Sequence, residues 1–492
     1  MKENEDFLYE AFQAKDTRFD GRYFVGISST KIYCRPTCRA KRPKRENCTF
    51  FSSAAEAEQA GYRPCLLCRP ELAPGNAIID ASSSLAKKAA QLMSEHCGDG
   101  QSVTEIAQKL GCTDRHLRRV FFAEYHVSPI QYLQTCRLLL AKNLLTDTGL
   151  SVLDVAMAAG FGSLRRLNDL FQRRYHLSPT ALRKNAAGGA KQAHGITVAL
   201  GYHPPYEWEK MLGFLAKRAI PGVEMVLEGA YLRTVRLKGR DGKKYCGWIR
   251  VQSCPKKNAV AVTLSDALIP VLSQVLARVR ALFDLCAEPN VIYEKLQTIN
   301  QICPGACVLG LRVPGCFQPF EMAVRAVLGQ QITVKAASTL AGKIALAYGT
   351  PIETGIDGLT HLFPEAEDIL ALKDEIEERL GTLGVIAARS RCILALAQAL
   401  ESGDIALGAY ADPEQEMAKL MQIKGIGSWT AKYLAMRTMG WPDAFLETDI
   451  GVKHALPEYT PKERLELSRQ WRPWRSYAMM CLWNLDAPGA AK

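Results

Sequence analysis

Cys34 and Cys38 stand in the run Ile32-Tyr33-Cys34-Arg35-Pro36-Thr37-Cys38, and Cys65 and Cys68 in Arg63-Pro64-Cys65-Leu66-Leu67-Cys68. Two close pairs separated by an intermediate loop converge readily on one tetrahedral Zn2+, which takes four thiolates and leaves no coordination position open. A closed site of this kind is ordinarily structural. Here Lys31, Arg35, Arg39, Lys41, Arg42, Lys44 and Arg45 crowd the first pair, and no acid follows until Glu46. Zinc with four thiolates carries two negative charges, which suits cationic surroundings, and a zinc-bound thiolate stays deprotonated and nucleophilic at neutral pH. The spacing alone fits an inert zinc knuckle as well as a reactive one. A second place for chemistry lies far along the chain. In Gly425-Ile426-Gly427 the absent β-carbons let backbone amides approach a phosphate, and about twenty residues later Leu446-Glu447-Thr448-Asp449 supplies a carboxylate. Gly-x-Gly is weak by itself, and Asp449 also suits the N-cap of a helix beginning at Ile450.

These residues need a scaffold of several domains. A chain of 492 residues with 48% hydrophobic content is globular throughout and long enough for three or four cores. The formal net charge of +12 and the local clustering of basic residues favour a polyanionic partner. Sixteen cysteines without a signal peptide, after the polar start Met1-Lys2-Glu3-Asn4-Glu5-Asp6, point to a reducing cytoplasm. No apolar run is long enough to span a bilayer, so no membrane is expected.

An internal repeat follows a short link at Ala73-Pro74-Gly75-Asn76. Ser102-Val103-Thr104-Glu105-Ile106-Ala107 aligns with Ser151-Val152-Leu153-Asp154-Val155-Ala156, and Tyr125-His126-Val127-Ser128-Pro129 aligns with Tyr175-His176-Leu177-Ser178-Pro179. Each copy reads as helix, turn, helix, with turns at Gly111 and Gly160 and a serine N-cap before the first helix. The second helices carry Arg115, His116, Arg118 and Arg119 in one copy and Arg165, Arg166, Arg173 and Arg174 in the other. Two basic helices of this kind fit successive segments of a DNA major groove.

Ala186 to Gln192 reads as a flexible linker. Beyond it, period-two stretches at Ala230 to Lys238 and Trp248 to Gln252 with a helix near 267–285 predict a small α+β domain, and from 319 onward the pattern is helical to the end. The expected architecture is multidomain, mainly α with α+β parts: a zinc domain at 1–75, a double helix-turn-helix at 80–185, a linker at 186–195, an α+β domain at 196–315 and an all-α domain at 316–492.

Three families are matched by these motifs. Phe19-Asp20-Gly21-Arg22-Tyr23-Phe24, the Cys34 to Ala40 run and Gly61-Tyr62-Arg63-Pro64-Cys65 resemble the Ada-type methyl-acceptor domain, over roughly 5–75. That resemblance implies that Cys34, Cys38, Cys65 and Cys68 hold one zinc while Cys34 takes a methyl group from a methylated DNA phosphate, which lowers the cluster's charge. The duplicated segment, with Gly160-Phe161-Gly162 and the Ser-Pro exits, resembles the AraC-type DNA-binding domain. It implies sequence-specific operator binding through residues such as Arg115, Arg118, Arg119, Arg165 and Arg166, with RNA polymerase as a further partner. Gly425, Gly427 and Asp449, with Tyr202-His203-Pro204-Pro205-Tyr206-Glu207-Trp208, Phe320 to Gln331 and Trp471-Arg472-Pro473-Trp474, resemble the helix-hairpin-helix glycosylases of the DNA-3-methyladenine glycosylase II type.

The glycosylase resemblance makes Asp449 the catalytic carboxylate, Trp429, Tyr433, Trp483 and Phe214 the candidate walls of a base pocket, and Gln330 and Gln331 the site of a wedge entering the vacated stack. Some relatives have leucine at the second of these positions, and many have proline where Glu447-Thr448 stands here. The position of the lysine nucleophile in strand-cutting relatives holds Trp429, so hydrolysis without lyase activity is expected. No iron–sulfur cluster is expected either, since Cys481 stands alone near the C-terminus. The resulting expectation is a fusion that binds alkylated and operator double-stranded DNA, accepts methyl groups, activates transcription and excises alkylated bases. Two competing readings are a regulator whose glycosylase half is inactive and a glycosylase for oxidised bases.

Overall fold

In the computed structural model, residues 2–73, 85–185, 195–408 and 411–485 are described. The links expected at 73–76 and 186–192 lie outside them but for Ala73. The chain divides into two units, one of residues 1–204, 236–280 and 285–287, the other of 205–235, 281–284 and 288–492.

The first unit begins with a four-stranded sheet in the order Cys48–Phe51, Phe24–Ile27, Ile32–Cys34, Arg63–Pro64. Its last pairing is parallel and sets Tyr33 opposite Pro64, while the Cys65 amide donates to the Tyr33 carbonyl at 3.0 Å. This register brings the two cysteine pairs together across 31 residues of sequence. Helix Ala54–Gln59, capped by Ser53, covers the sheet.

The duplicated segment folds as two equivalent hairpins. Ser102 caps Val103–Lys109 in a reciprocal capping box with Glu105, and Ser151 caps Val152–Ala158 by accepting from the Asp154 amide. The second helices are Asp114–Tyr125 and Leu164–Tyr175, with Leu117 and Phe121 matched by Leu167 and Phe171, all fully buried. Gly111 and Gly160 take φ +67° and +79° at the turns, a conformation that favours glycine. Helix Pro129–Asp147 joins the copies and anchors the zinc domain: Lys142, buried to 1%, meets both Glu71 oxygens at 2.6 and 2.5 Å, and Arg69 meets Asp147 at 2.7 Å. Breaking such a buried pair costs about 3–5 kcal/mol, and both modules fall within the first of the two units. Strand Ile196–Gly201 pairs antiparallel with Ala259–Leu264, which pairs in turn with Lys244–Cys254. The helix expected near 267–285 is a 3-10 turn, Asp266–Val271, leading into Leu272–Leu282.

The second unit contributes the hairpin of Glu224–Leu227 with the strand starting at Ala230 and a large helical body. Helices Pro319–Leu328, Val334–Tyr348, Ala387–Glu401 and Ser428–Thr438 share one core that includes Leu328, Ile344, Ile393, Leu396 and Leu434, all fully buried. The expected helical tail is interrupted by a two-stranded ladder of Thr350–Pro351 with His361–Leu362.

Candidate metal centre and candidate active site

The sulfurs of Cys34, Cys38, Cys65 and Cys68 all lie within 4.8 Å of one another. Tetrahedral zinc with Zn–S near 2.3 Å requires sulfurs about 3.8 Å apart, so the cluster has the right size and donor set. A cation at the centre is what allows four sulfurs this close to ionise together. The four cysteines form a single zinc site. Cys34 is 2% exposed, and Cys68 is the least covered of the four.

The basic residues around this centre have separate fates. Lys31, Arg39, Lys41 and Lys44 are exposed. Arg35 forms a two-pronged ion pair with Asp20 and donates its backbone amide to Cys68 Sγ at 3.4 Å. Arg45 meets Glu5 at 2.8 Å and Asp6 at 3.0 Å, and Arg42 lies over the Phe12 ring at 4.1 Å. Only part of the charge read from the sequence therefore faces outward. The acids that neutralise Arg35 and Arg45 come from more than ten residues away in the chain.

On the helix-turn-helix pair, Arg115, Arg118, Arg119, Arg165 and Arg166 are all exposed on the second helices, as a DNA-facing set must be. Arg118 meets Asp114 at 2.7 Å and Arg119 meets His116 at 3.2 Å. Arg174 points elsewhere, donating to the Glu58 carbonyl at 2.9 Å.

In the second unit, Asp449 is 7% exposed and caps helix Ile450–Ala455. Its Oδ1 accepts from the amides of Gly451 at 2.9 Å and Val452 at 3.3 Å and from Trp483 Nε1 at 2.7 Å. Oδ2 accepts from Trp429 Nε1 at 3.2 Å. With three donors on Oδ1 and one on Oδ2, the second oxygen retains acceptor capacity for a reacting group. Capping and chemistry are therefore compatible roles of one side chain.

The four aromatic candidates converge around this carboxylate. Trp429 and Tyr433, one turn apart on helix Ser428–Thr438, stack at 5.1 Å with planes 7° apart, and Phe214 stacks on Trp483 at 6.1 Å. All four are partly buried, as pocket walls are. The Arg218 guanidinium lies 3.7 Å from the Phe214 ring centre, and burial pushes it down to about 10. Arg437 sits beneath, 5.1 Å from Phe214 and donating to Tyr433 Oη at 2.6 Å. Gly451 completes the arrangement: a β-carbon there would meet Trp483 Cδ1 at 2.6 Å. Arg218, Arg437 and Gly451 escape sequence reasoning because nothing in their spacing marks them; only the converging rings do.

Gly425, at φ +100°, and Gly427, the N-cap of Ser428–Thr438, are exposed at the hairpin. Gln330 braces this hairpin, its Nε2 donating to Gly425 O at 2.9 Å and Thr430 Oγ1 at 3.1 Å, while Arg389 holds its carbonyl. Gln331 is exposed and held at φ +57°, which is uncommon for a residue with a β-carbon. Lys432 pairs with Glu447 at 2.7 Å.

Fold and sites together define a protein that joins a zinc-bearing DNA-binding regulator to a helix-hairpin-helix glycosylase. Family profiles agree: the metal binding domain of Ada matches residues 8–71, a helix-turn-helix domain matches 88–185, and the AlkA N-terminal domain matches 197–318. The probable bifunctional transcriptional activator/DNA repair enzyme AlkA of Mycobacterium tuberculosis is 36% identical over 98% of this chain and 97% of its own length. DNA-3-methyladenine glycosylase 2 of Escherichia coli is 34% identical over 58% of this chain and 96% of its own. The bifunctional transcriptional activator/DNA repair enzyme Ada of the same organism is 31% identical over 32% of this chain and 43% of its own. The chain belongs to the family of bifunctional transcriptional activator/DNA repair AlkA proteins. Among the described residues, no helix is long and apolar enough to cross a membrane.

Proposed function

We propose that this protein hydrolyses the glycosidic bond of bases alkylated on ring nitrogen, of the 3-methyladenine and 7-methylguanine class, and that it separately accepts a methyl group from DNA phosphotriesters on Cys34 to activate transcription. The observation that carries the first part is the Asp449 carboxylate, clasped by the indoles of Trp429 and Trp483 with stacked rings on both sides.

A purine methylated at N3 or N7 is already cationic, so its bond to the sugar breaks with both electrons passing to the base, which leaves neutral. No general acid is then required. Asp449 Oδ2 lies where it can stabilise the positive charge that develops on the sugar and receive a proton from the attacking water. Extruding the base costs about a few kcal/mol, less for a damaged pair, and stacking on Trp429, Tyr433 or Trp483 offsets it. Phe214 already has one face under Arg218 and contributes mainly as support. With Gln330 tied to the hairpin, Gln331 is the residue we assign to the gap in the stack.

For the methyl transfer, zinc keeps the thiolates ionised. The Cys34 sulfur displaces the phosphate oxygen at the methyl carbon, the C–O electrons pass to that oxygen, and a phosphodiester anion leaves. The resulting thioether has no easy reverse reaction, so uptake is one methyl per chain. A cluster with less negative charge is repelled less by DNA phosphates, which strengthens operator binding and presents the bound protein to RNA polymerase in the cytoplasm.

The test is base release from N-methylated duplex DNA by the full chain and by Asp449→Asn. Release of 3-methyladenine by the first and not the second is expected. Equal and negligible release by both overturns the enzyme reading in favour of a regulator whose second half only tethers DNA. Strand nicking by β-elimination overturns the monofunctional assignment.

A further inference from the structure

We propose that Glu58 links the methyl-accepting cysteine to the second DNA-reading helix, so that methylation of Cys34 repositions helix Leu164–Tyr175 through the side chains of Tyr33, Glu58 and Tyr175. The inference rests on the methyl-acceptor reading above and deepens it.

Glu58 lies on helix Ala54–Gln59 of the zinc domain and is 2% exposed. Its Oε1 accepts from two tyrosine hydroxyls, Tyr33 at 3.2 Å and Tyr175 at 3.0 Å, and its Oε2 from Thr135 Oγ1 at 3.0 Å. Its backbone carbonyl accepts from Arg174 at 2.9 Å. These donors come from three separate places. Tyr33 is the residue immediately before Cys34 on the same strand, Thr135 lies on helix Pro129–Asp147, and Arg174 and Tyr175 end the second DNA-reading helix. Burial pushes the Glu58 carboxyl up to about 7, and the surrounding hydroxyls and Arg174 oppose that rise. A carboxylate in a dry interface is costly unless its acceptors are filled. An apolar side chain would glue the modules without that cost, so a polar junction at this point calls for a role beyond adhesion.

The geometry supplies a route. Successive residues of a strand point to opposite faces, so Cys34 enters the metal cluster while Tyr33 enters the core, where it meets Phe24 edge-on at 5.7 Å and is wholly buried. The Tyr33 carbonyl also accepts from the Cys65 amide, which ties this residue to both cysteine pairs. Converting the Cys34 thiolate to a thioether weakens its hold on the metal and alters the strand that carries Tyr33. Because Tyr33 and Tyr175 share one oxygen of Glu58, withdrawal of the first hydroxyl leaves that oxygen to the second, and the end of the DNA-reading helix follows. The proposal therefore requires a second arrangement of this junction, in which Glu58 Oε1 is held by Tyr175 alone, for methylation to select. It acts in addition to the loss of cluster charge, and the two effects separate experimentally.

The experiment uses the full chain, its Tyr33→Phe and Tyr175→Phe variants, and a duplex selected from a random library for binding the methylated wild type. Each variant loses one hydroxyl and keeps its ring, so the link is cut while the Glu58 side chain stays in place. Zinc content and methyl uptake are measured first, then affinity for the duplex before and after methylation at one salt concentration. Wild type is expected to gain affinity by about 5- to 150-fold, the usual span of coupling between sites. Both variants are expected to bind zinc and take the methyl normally, yet to lose most of that gain. Amide exchange across Leu164–Tyr175 is expected to change on methylation in wild type and not in Tyr175→Phe, a readout that needs no DNA. Full gain in both variants overturns the link and leaves charge alone as the cause; loss in Tyr33→Phe only overturns its extension to the second helix. Wild type that takes no methyl on Cys34 defeats the underlying acceptor reading instead, an outcome seen before any affinity is measured.

Discussion

Gly451→Ala puts the base-excision site under the sharpest strain. The added β-carbon would lie 2.6 Å from Trp483 Cδ1 and 3.2 Å from Asp449 Oδ1, whereas ordinary contact begins near 3.4 Å. The indole must retreat by about 0.8 Å, which stretches its 2.7 Å bond to Asp449 Oδ1 to about 3.5 Å, beyond the range of an N–H···O bond. A hydrogen bond to a charged group contributes about 1.5–3 kcal/mol. Its loss from the transition state lowers kcat/KM about 10- to 150-fold. Alanine is also a better helix former than glycine by about 1 kcal/mol, which offsets part of an overpacking cost of about 1–3 kcal/mol, so stability should fall only modestly while activity falls far more. The assay is single-turnover release of 7-methylguanine from alkylated duplex, with thermal melting as the control and Trp483→Phe as the second arm of a double-mutant cycle. If Gly451 acts through Trp483, adding Gly451→Ala to Trp483→Phe changes little. Wild-type release rates in Gly451→Ala, or strictly additive losses in the double variant, refute the geometry.

Three further predictions concern Asp449, Cys34 and Glu58. Asp449→Asn should lower excision by about 10²–10³-fold, the usual loss of a transition-state charge contact, yet melt like wild type, because asparagine caps a helix as well as aspartate does; a lowered melting temperature would instead mark Asp449 as structural. Peptide mass spectrometry after exposure to methylphosphotriester DNA should find one methyl on Cys34 and none in Cys34→Ala, whereas a methyl on the more exposed Cys68 would transfer the acceptor role. Burial raises the Glu58 carboxyl to about 7 from 4.5; the folded state then holds its proton longer than the unfolded chain, so the stability this group allows is complete below pH 4.5 and lost as pH rises through 7. About 3 kcal/mol is involved at 1.36 kcal/mol per unit, and the Glu58→Gln protein should show no such slope in denaturant titrations between pH 4.5 and 8.

The residues proposed to perform chemistry were legible because chemistry restricts residue type and spacing. The cysteine pairs, the doubled serine caps and the glycine hairpin each announce local geometry, and the structure forms a capped helix, a turn or a metal cluster at each. Phe214, the Trp429–Tyr433 pair and Trp483, widely separated along the chain, come together around Asp449, which no periodicity in the sequence shows. What stayed hidden are the supports whose partners lie far away: Asp20 against Arg35, Lys142 against Glu71, Arg218 against Phe214. An arginine in a basic run reads as a DNA contact until its carboxylate partner arrives from elsewhere in the chain, as happens for Arg35 and Arg45. Arg174 is the same lesson in reverse, a member of the reading helix that turns back to the zinc domain.

Placing the proposed catalytic carboxylate at a helix N-cap solves two problems with one residue. The helix amides satisfy Oδ1 and hold the carboxylate in place through N–H donors, while the arginines of this site, Arg218 and Arg437, lie against the Phe214 and Tyr433 rings. Lys432, on the same helix as Trp429, is held by Glu447 at 2.7 Å. The two indoles then aim the carboxylate as neutral donors, which position it without cancelling its charge. A site built this way is suited to a substrate that brings its own positive charge, and it is poorly suited to an uncharged oxidised base, whose departure demands a proton donor that Asp449, engaged as acceptor by four N–H groups, does not provide.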